Sequence, residues 1–298
     1  MTLTGVYVPL ITPFDAEGAV ALGPLETLAR EVLDAGASGL VALGTTAEPT
    51  SLTGAEQRDI LEVLTRVCTQ RSAPLLVGAS TVEAVTALRG RPGVTGALSL
   101  VPPFLRPGEA GVIAHFAALA SASPVPLVVY HVPYRTGQQL STDALRTIAG
   151  LAGVAGIKFA VGGIDTSAVE LLADPPAGFA VLGGDDTFIS PLLALGAHGG
   201  ILASAHLATA SFVALVDAWH AGAATRARAL GHRLAALSGA LFAEPNPTVI
   251  KAVLHAQGRI PTAAVRLPLL PASITACNRS LVVLNLVNEL DADMMNAV

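Results

Sequence analysis

Short runs of apolar residues recur along the chain, and longer stretches with apolar positions at helical spacing lie between them. The runs are continuous rather than alternating, as expected for strands buried on both faces of a parallel sheet. Eight strands are predicted, at residues 5–10, 39–43, 75–78, 97–101, 127–131, 154–158, 180–182 and 199–202. Eight helices are predicted between and after them, at residues 22–35, 54–70, 82–89, 108–122, 142–150, 165–172, 187–195 and 209–221.

Eight regular strand–helix units predict an α/β protein with a (β/α)8 TIM barrel, because such barrels need about 250 residues. A doubly wound sheet is the main alternative, but no G-x-G-x-x-G follows the first strand. We expect the barrel to occupy residues 1–221 and to carry the catalytic site. Residues 222–298 read as a C-terminal helical extension, with helices predicted at 225–242, 247–257 and 273–290.

Composition narrows the functional classes. The 298 residues carry a net charge of −5 and no Lys/Arg cluster, so neither a nucleic-acid partner nor a polybasic membrane patch is expected. Mean hydropathy is +0.61, but no apolar run reaches the roughly 20 residues of a spanning helix. The N-terminal segment lacks the basic start of a signal peptide, and Cys68 and Cys277 have no metal-ligand spacing. We therefore expect a soluble, cytoplasmic protein.

Lysine is rare in this chain, since only Lys158 and Lys251 occur among 17 basic residues. Lys158 ends the sixth predicted strand, V-A-G-I-K-F-A, with the small residues Gly156 and Ala160 on its face. If that face lines the barrel, burial disfavours the ammonium form and favours a neutral amine that can form a Schiff base. The alternative is a structural lysine paired with Asp185 or Glu48.

The fifth strand ends in the sequence L-V-V-Y-H-V-P-Y-R-T-G. Tyr130 should point into the barrel beside Lys158, where a phenol can transfer protons during imine chemistry; it could equally be a residue that fills the barrel. Arg135 follows in the loop, and its guanidinium suits a substrate carboxylate. The alternative for Arg135 is a surface salt bridge that holds the loop.

The second strand ends in G-T-T-A-E-P, which supplies two hydroxyl groups and turn amides just before a helix. Thr45 and Thr46 therefore suit a small anion such as the carboxylate of an α-keto acid, although Gly and Thr are also ordinary turn residues. Asp185 and Asp186 would repel a phosphate at the seventh strand end, and Asp186 is interpreted as a helix cap. The histidines are scattered, so no metal site is expected.

Five motifs, in this order along the chain, resemble the dihydrodipicolinate synthase / N-acetylneuraminate lyase family of class I aldolase-type barrels. They are G-T-T-A-E at 44–48, Y-H-V-P-Y-R-T-G at 130–137, G-I-K at 156–158, G-D-D at 184–186 and E-P-N-P at 244–247. The resemblance extends from about Gly5 to Pro271. It implies a lysine-imine lyase without a metal or organic cofactor, assembled as a homotetramer or homodimer.

The resemblance also implies roles for single residues. Lys158 would form the imine with pyruvate, and Tyr130 would relay protons with help from a hydrogen bond to Thr45. Thr46 would hold the pyruvate carboxylate, and the main-chain carbonyl of Ile201 would lie beside it. Arg135 would receive the carboxylate of the aldehyde substrate, aspartate semialdehyde in the synthase branch.

Two other functions remain open. Phe104 lies where the synthase branch commonly has a tyrosine donated across a subunit interface. This difference favours a 2-keto-3-deoxy sugar-acid aldolase or dehydratase, or another pyruvate-dependent aldolase of the same family. Arg135 favours the synthase, because the sugar-acid branches usually lack arginine there. The third possibility is a paralogue that binds keto acids without catalysis, since a fold does not by itself determine a function.

Overall fold

The eight predicted strands all form, and they close into one parallel barrel in which strand order follows the chain. The computed structural model describes residues 3–296, with side chains described through residue 289. β8 pairs with β1 and completes the ring. The strands are β1 (Gly5–Pro9), β2 (Gly39–Ala42), β3 (Leu75–Gly78), β4 (Val94–Leu100), β5 (Leu127–His131), β6 (Val154–Phe159), β7 (Ala180–Gly183) and β8 (Gly199–Ile201). The predicted TIM barrel is confirmed.

Helices surround the barrel and continue into the C-terminal extension. Thr53 and Glu56 form a capping box at the start of the second helix. The helices are α1 (Leu22–Asp34), α2 (Gly54–Arg71), α3 (Val82–Thr86), α4 (Gly108–Ala122), α5 (Pro133–Thr136), α6 (Thr142–Ala149), α7 (Thr166–Ala173), α8 (Ile189–Ala194), α9 (Ala205–His220), α10 (Ala224–Leu241), α11 (Thr248–Ala256) and α12 (Ile274–Asn296).

Four helices differ clearly from the sequence prediction. α3 ends at Thr86 rather than near residue 89. α9 begins at Ala205 rather than near residue 209, because one helical turn joins it across a kink at Ala208. α5 is a single turn that hydrophobic periodicity could not reveal, and α12 extends beyond the predicted end at residue 290. None of these differences moves a strand end.

Side chains alternate between two cores, as the strand pattern predicts. On β6, Ile157 and Phe159 face outward and pack in the layer between strands and helices. Ala160 and Tyr130 belong to a separate cluster inside the barrel. Lys158, which lies between the two outward residues, is therefore directed into the barrel.

The extension consists of α10, α11 and α12 in the described part of the chain. α10 packs against α9 and α12, which attaches the extension to the last barrel helix. The division into a barrel at 1–221 and an extension at 222–298 stays a prediction. No helix within residues 3–296 has both the length and the apolar character needed to cross a membrane.

Candidate active site

The sequence-predicted site residues gather at one end of the barrel. Lys158, Tyr130 and Ile201 lie near the carboxyl ends of β6, β5 and β8. Thr45 and Thr46 follow β2, and Arg135 follows β5. Because all eight strands are parallel, these positions share the face on which TIM barrels place their active sites.

Lys158 and Tyr130 are direct neighbours in the barrel wall. They are paired in the register of β5 and β6, and Lys158 Nζ lies 4.4 Å from the centroid of the Tyr130 ring. Lys158 is only 5% exposed, and its amine makes no hydrogen bond or salt bridge with any residue whose side chain is described. The alternative pairing with Asp185 or Glu48 is wrong, because both carboxylates bind other partners.

A glycine directly after the neighbouring strand β7 makes room for the lysine stem. A Cβ atom added at Gly184 would lie 2.7 Å from both Cγ and Cε of Lys158 and 3.0 Å from Cβ of Ala160. Any side chain at Gly184 would therefore displace Lys158, so the G-D-D motif begins with glycine for steric reasons.

Asp186 is buried and does not cap a helix, which corrects the sequence interpretation. Its Oδ2 accepts a hydrogen bond of 2.6 Å from the backbone N–H of Ser204, across the loop that follows β8. Burial raises the pKa of Asp186 to about 6, and the hydrogen bond from the Ser204 backbone opposes this shift. Sequence reasoning missed this carboxyl group as a component of the site, because short-range patterns do not report burial.

The G-T-T-A-E loop forms a single 3-10 turn at Thr45–Ala47. Within it, Ala47 N donates to Gly44 O at 2.9 Å, whereas the amide of Thr46 has no backbone acceptor among the described residues. Thr46 is buried, and its hydroxyl oxygen accepts a hydrogen bond of 3.0 Å from Asn246 Nδ2. The resemblance implied a hydrogen bond between Thr45 and Tyr130, but no such bond occurs in the described part of the chain.

Arg135 lies in the one-turn helix α5, is exposed, and has no ion-pair partner in the described residues. The alternative role as a salt bridge holding the loop is therefore not supported. The adjacent Tyr134 holds the loop instead, since its hydroxyl donates to Asp185 Oδ1 at 2.9 Å. Asp185 Oδ2 also accepts from Gly162 N at 2.6 Å. Burial and the nearby Asp185 charge raise the pKa of Tyr134.

The remaining candidates differ in their exposure. Ile201 is buried as the last residue of β8. Phe104 is 91% exposed in the loop after β4 and has a left-handed backbone, with φ of 73°. Its side chain is therefore free of the site residues within this single chain.

His131, the last residue of β5, is buried, and neither of its ring nitrogens has a hydrogen-bond partner among the described residues. Two other histidines bond to backbone amides. His206 Nε2 accepts a hydrogen bond from Ile11 N at 3.2 Å, and His198 Nδ1 accepts one from Val181 N at 3.2 Å. Within the described residues, no three His, Cys, Asp or Glu side chains group closely enough to hold a metal ion.

Comparison with known proteins agrees with this geometry. A sequence model of the dihydrodipicolinate synthetase family matches residues 2–284. The 4-hydroxy-tetrahydrodipicolinate synthase 2 of Clostridium acetobutylicum is 36% identical over 278 residues, which cover 92% of this chain and 96% of that protein.

Solved structures match the fold closely. The 4-hydroxy-tetrahydrodipicolinate synthase of Methylacidiphilum fumariolicum aligns with a TM-score of 0.92 at 28% identity and covers 99% of both chains. The chloride-inhibited dihydrodipicolinate synthase of Acinetobacter baumannii, solved in complex with pyruvate, aligns with a TM-score of 0.90 at 30% identity, over 96% of this chain and 99% of that one. Sequence and fold together establish that the chain belongs to the dihydrodipicolinate synthetase family.

Proposed function

We propose that the protein is a Schiff-base lyase that condenses pyruvate with aspartate semialdehyde, as a 4-hydroxy-tetrahydrodipicolinate synthase. The observation that carries the proposal is the environment of Lys158: a buried amine with no ion-pair partner in the described residues, 4.4 Å from the Tyr130 ring. An amine attacks a carbonyl through its free electron pair, and Lys158 forms no salt bridge with a carboxylate among the described residues.

The reaction begins with attack of Lys158 Nζ on the ketone carbon of pyruvate. Loss of water gives a protonated imine, which withdraws electrons from the adjacent methyl group and so permits loss of a methyl proton. The resulting enamine carbon attacks the aldehyde carbon and forms the new carbon–carbon bond. The amino group of the second substrate then attacks the imine carbon, closes the ring and expels the Lys158 amine. The imine itself polarises pyruvate, so this route requires no metal or organic cofactor.

Four residues assist these steps in the proposal. Tyr130, beside the amine, carries protons to and from the carbinolamine. The hydroxyl of Thr46 and its backbone amide, which has no backbone acceptor among the described residues, bind the pyruvate carboxylate, and the Ile201 carbonyl lies beside it. Thr45 supplies a second hydroxyl for the proton relay. It does so without a direct hydrogen bond to Tyr130.

Arg135 is proposed to bind the carboxylate of the aldehyde substrate. Its exposed guanidinium has no intramolecular ion pair in the described residues, so it is available for bidentate binding. Replacing it with alanine should raise KM for aspartate semialdehyde at least about ten-fold, as expected for a lost charged hydrogen bond. Arg89→Ala is a matched control, because Arg89 is exposed before the start of β4, at the opposite end of the barrel. An unchanged KM in Arg135→Ala would remove this role.

Borohydride trapping with pyruvate, followed by peptide mapping, tests the imine. We expect the reduced adduct on Lys158 and none on Lys251, the only other lysine. Lys158→Ala should abolish trapping. An intact, folded protein that forms no adduct would instead be a non-catalytic keto-acid binder.

The residue at position 104 favours a second candidate function. It has no hydroxyl to contribute to a proton relay, and its side chain is 91% exposed. This favours a 2-keto-3-deoxy sugar-acid aldolase or dehydratase that uses the same imine. A coupled assay with aspartate semialdehyde and with sugar-derived aldehydes separates the two functions: preference for the uncarboxylated aldehydes would overturn the synthase assignment.

The proposed cellular setting follows from the proposed reaction. A 4-hydroxy-tetrahydrodipicolinate synthase acts in lysine biosynthesis, and we propose that this one works in the cytoplasm, where its free cysteines Cys68 and Cys277 would stay reduced. We further propose a homotetramer or homodimer, because the adjacent apolar side chains of Phe104 and Leu105 are 91% and 78% exposed. Sedimentation velocity tests the assembly, and a monomer would contradict it.

A further inference from the structure

A residue of the C-terminal extension contacts the G-T-T-A-E loop at residues 44–48 directly. We call this loop the carboxylate loop, because Thr46 is proposed to bind the substrate carboxylate there. Asn246, in the turn before α11, donates a hydrogen bond of 3.0 Å from Nδ2 to the hydroxyl oxygen of Thr46, 200 positions earlier in the chain. Thr46 is 3% exposed, so this bond lies in a buried environment. The motif E-P-N-P marked this segment in the sequence, but no function was attached to its asparagine.

The direction of this bond determines what the Thr46 hydroxyl can do. A threonine hydroxyl has one proton to donate and two lone pairs that accept. Asn246 occupies a lone pair, and the hydroxyl donates to no acceptor in the described part of the chain. Its proton is therefore available to a bound anion.

We propose that Asn246 is a positioning residue that orients the Thr46 hydroxyl as a hydrogen-bond donor to the carboxylate of the keto-acid substrate. The inference rests on the proposed function, because it assigns a substrate group to Thr46. Among the described residues the Asn246 side chain hydrogen-bonds only to Thr46, so the proposed effect passes through that hydroxyl.

The same stretch of chain fixes the other end of the loop. Glu48 has a left-handed backbone with φ of 55°, which is strained for a residue with a side chain. Its Oε1 accepts from Lys251 Nζ at 2.8 Å, and its Oε2 accepts from Arg266 N at 2.8 Å. Lys251 lies in α11, directly after the Asn246 turn. The segment around α11 therefore contacts the loop at two places, through the Asn246–Thr46 hydrogen bond and the Lys251–Glu48 ion pair.

Two substitutions at Asn246 separate orientation from simple packing. Asn246→Ala removes the donor and lets the hydroxyl proton rotate, so pyruvate should bind about five-fold more weakly, the effect of one ordinary hydrogen bond. Asn246→Asp keeps the size of the side chain but replaces the donor with an acceptor. The Thr46 hydroxyl would then donate its hydrogen bond to the new carboxylate, which also adds negative charge near the substrate carboxylate. Its pyruvate affinity should fall further, about twenty-fold or more. A space-filling role predicts the reverse order, with aspartate milder than alanine.

Calorimetric titration with pyruvate gives the affinities, and steady-state kinetics gives KM for the aldehyde. KM for the aldehyde should stay within about two-fold in both variants, because Asn246 contacts the proposed pyruvate subsite through Thr46. Asn278, exposed on α12, provides matched controls as Asn278→Ala and Asn278→Asp. Thermal unfolding verifies that each variant is folded.

A double-mutant cycle tests whether Asn246 acts through Thr46. Thr46→Val removes the hydroxyl, so adding Asn246→Ala to it should not weaken pyruvate binding further. Additive losses, or an aspartate variant milder than the alanine variant, would overturn the inference. If the wild-type chain traps pyruvate on Lys158 while the Asn246 variants bind it normally, only the positioning role fails. If the wild-type chain binds no pyruvate, the proposed function fails with it.

Discussion

Two buried lysines occupy different environments in this barrel. Lys251 Nζ lies 2.8 Å from Glu48 Oε1 and 4.1 Å from the centroid of the Phe14 ring. Burial lowers the pKa of Lys251 to about 8, and the Glu48 carboxylate opposes that shift, so the amine remains charged near neutral pH. Lys158 has the Tyr130 ring but no carboxylate partner in the described residues. Of the two amines, Lys158 is therefore the one suited to nucleophilic attack.

Tyr130→Phe tests the proton relay at this site. The phenyl ring fills the same space, so the fold should be retained, but the phenol proposed to transfer protons to the carbinolamine is lost. We expect kcat to fall about 100-fold or more, the usual contribution of a positioned acid–base group. Borohydride should still trap pyruvate on Lys158, more slowly. A kcat equal to that of the unmodified protein would exclude Tyr130 from the relay.

The burial of the His206 imidazole predicts that the folded protein loses stability in acid. Its Nε2 accepts from Ile11 N, so Nδ1 carries the proton and donates to Ala203 O at 2.7 Å. Burial lowers the pKa of this neutral imidazole to about 4. Between about pH 6.5 and pH 4 the unfolded chain binds a proton that the folded chain does not, and stability falls by about 3 kcal/mol.

Chemical unfolding at several pH values measures this effect. His206→Gln should show a flatter dependence of the free energy of unfolding on pH across this window. His232→Gln, at an exposed histidine on α10, should leave the slope unchanged. Equal slopes for the wild type and His206→Gln would contradict the assignment.

At the scale of elements, the loops after β5 and β7 hold one another. α5 carries Arg135 at the mouth of the barrel, and the neighbouring Tyr134 donates its hydroxyl to Asp185 at the end of β7. Asp185 also accepts from Gly162 N, in the loop after β6. Three consecutive strand ends are thereby joined around the predicted aldehyde subsite.

Tyr134→Phe removes only the hydroxyl of this contact. Arg135 would then be held less firmly, so KM for aspartate semialdehyde should rise about five-fold, as for the loss of one partly exposed hydrogen bond. The pyruvate affinity should not change, because the carboxylate loop lies after β2. Steady-state kinetics with each substrate varied in turn measures both values. A rise in the pyruvate KM alone would show that the contact serves another subsite.

Features of the fold that depend on residues close together in the chain could be predicted from the sequence. β6 and β5 were predictable because strands buried on both faces are continuously apolar, and alternation along β6 placed Lys158 inward. α5 was missed because a single turn has no periodicity. The bond between Asn246 and Thr46 joins residues 200 positions apart, and the burial of Asp186 depends on the loop after β8. Such contacts exist only once the ring has closed.

At the scale of the whole molecule, the C-terminal extension is attached to the barrel by ion pairs of two kinds. Lys251 and Glu48 form a pair that is almost completely buried, with exposed fractions of 0% and 2%. Arg259 and Glu31, in α1, form a pair of 2.7 Å that remains partly exposed, at 23% and 42%. The buried pair is also the one that holds the strained Glu48.

The two pairs should differ in their effect on stability. Lys251→Met leaves the Glu48 carboxylate buried without its cation, so the free energy of unfolding should fall by about 3–5 kcal/mol in urea. The double variant Lys251→Met with Glu48→Gln removes the uncompensated charge and should recover most of that loss. Arg259→Met, the matched control at the partly exposed pair, should cost no more than about 1 kcal/mol. Equal losses at both pairs would mean that burial is not what makes the Lys251–Glu48 contact important for stability.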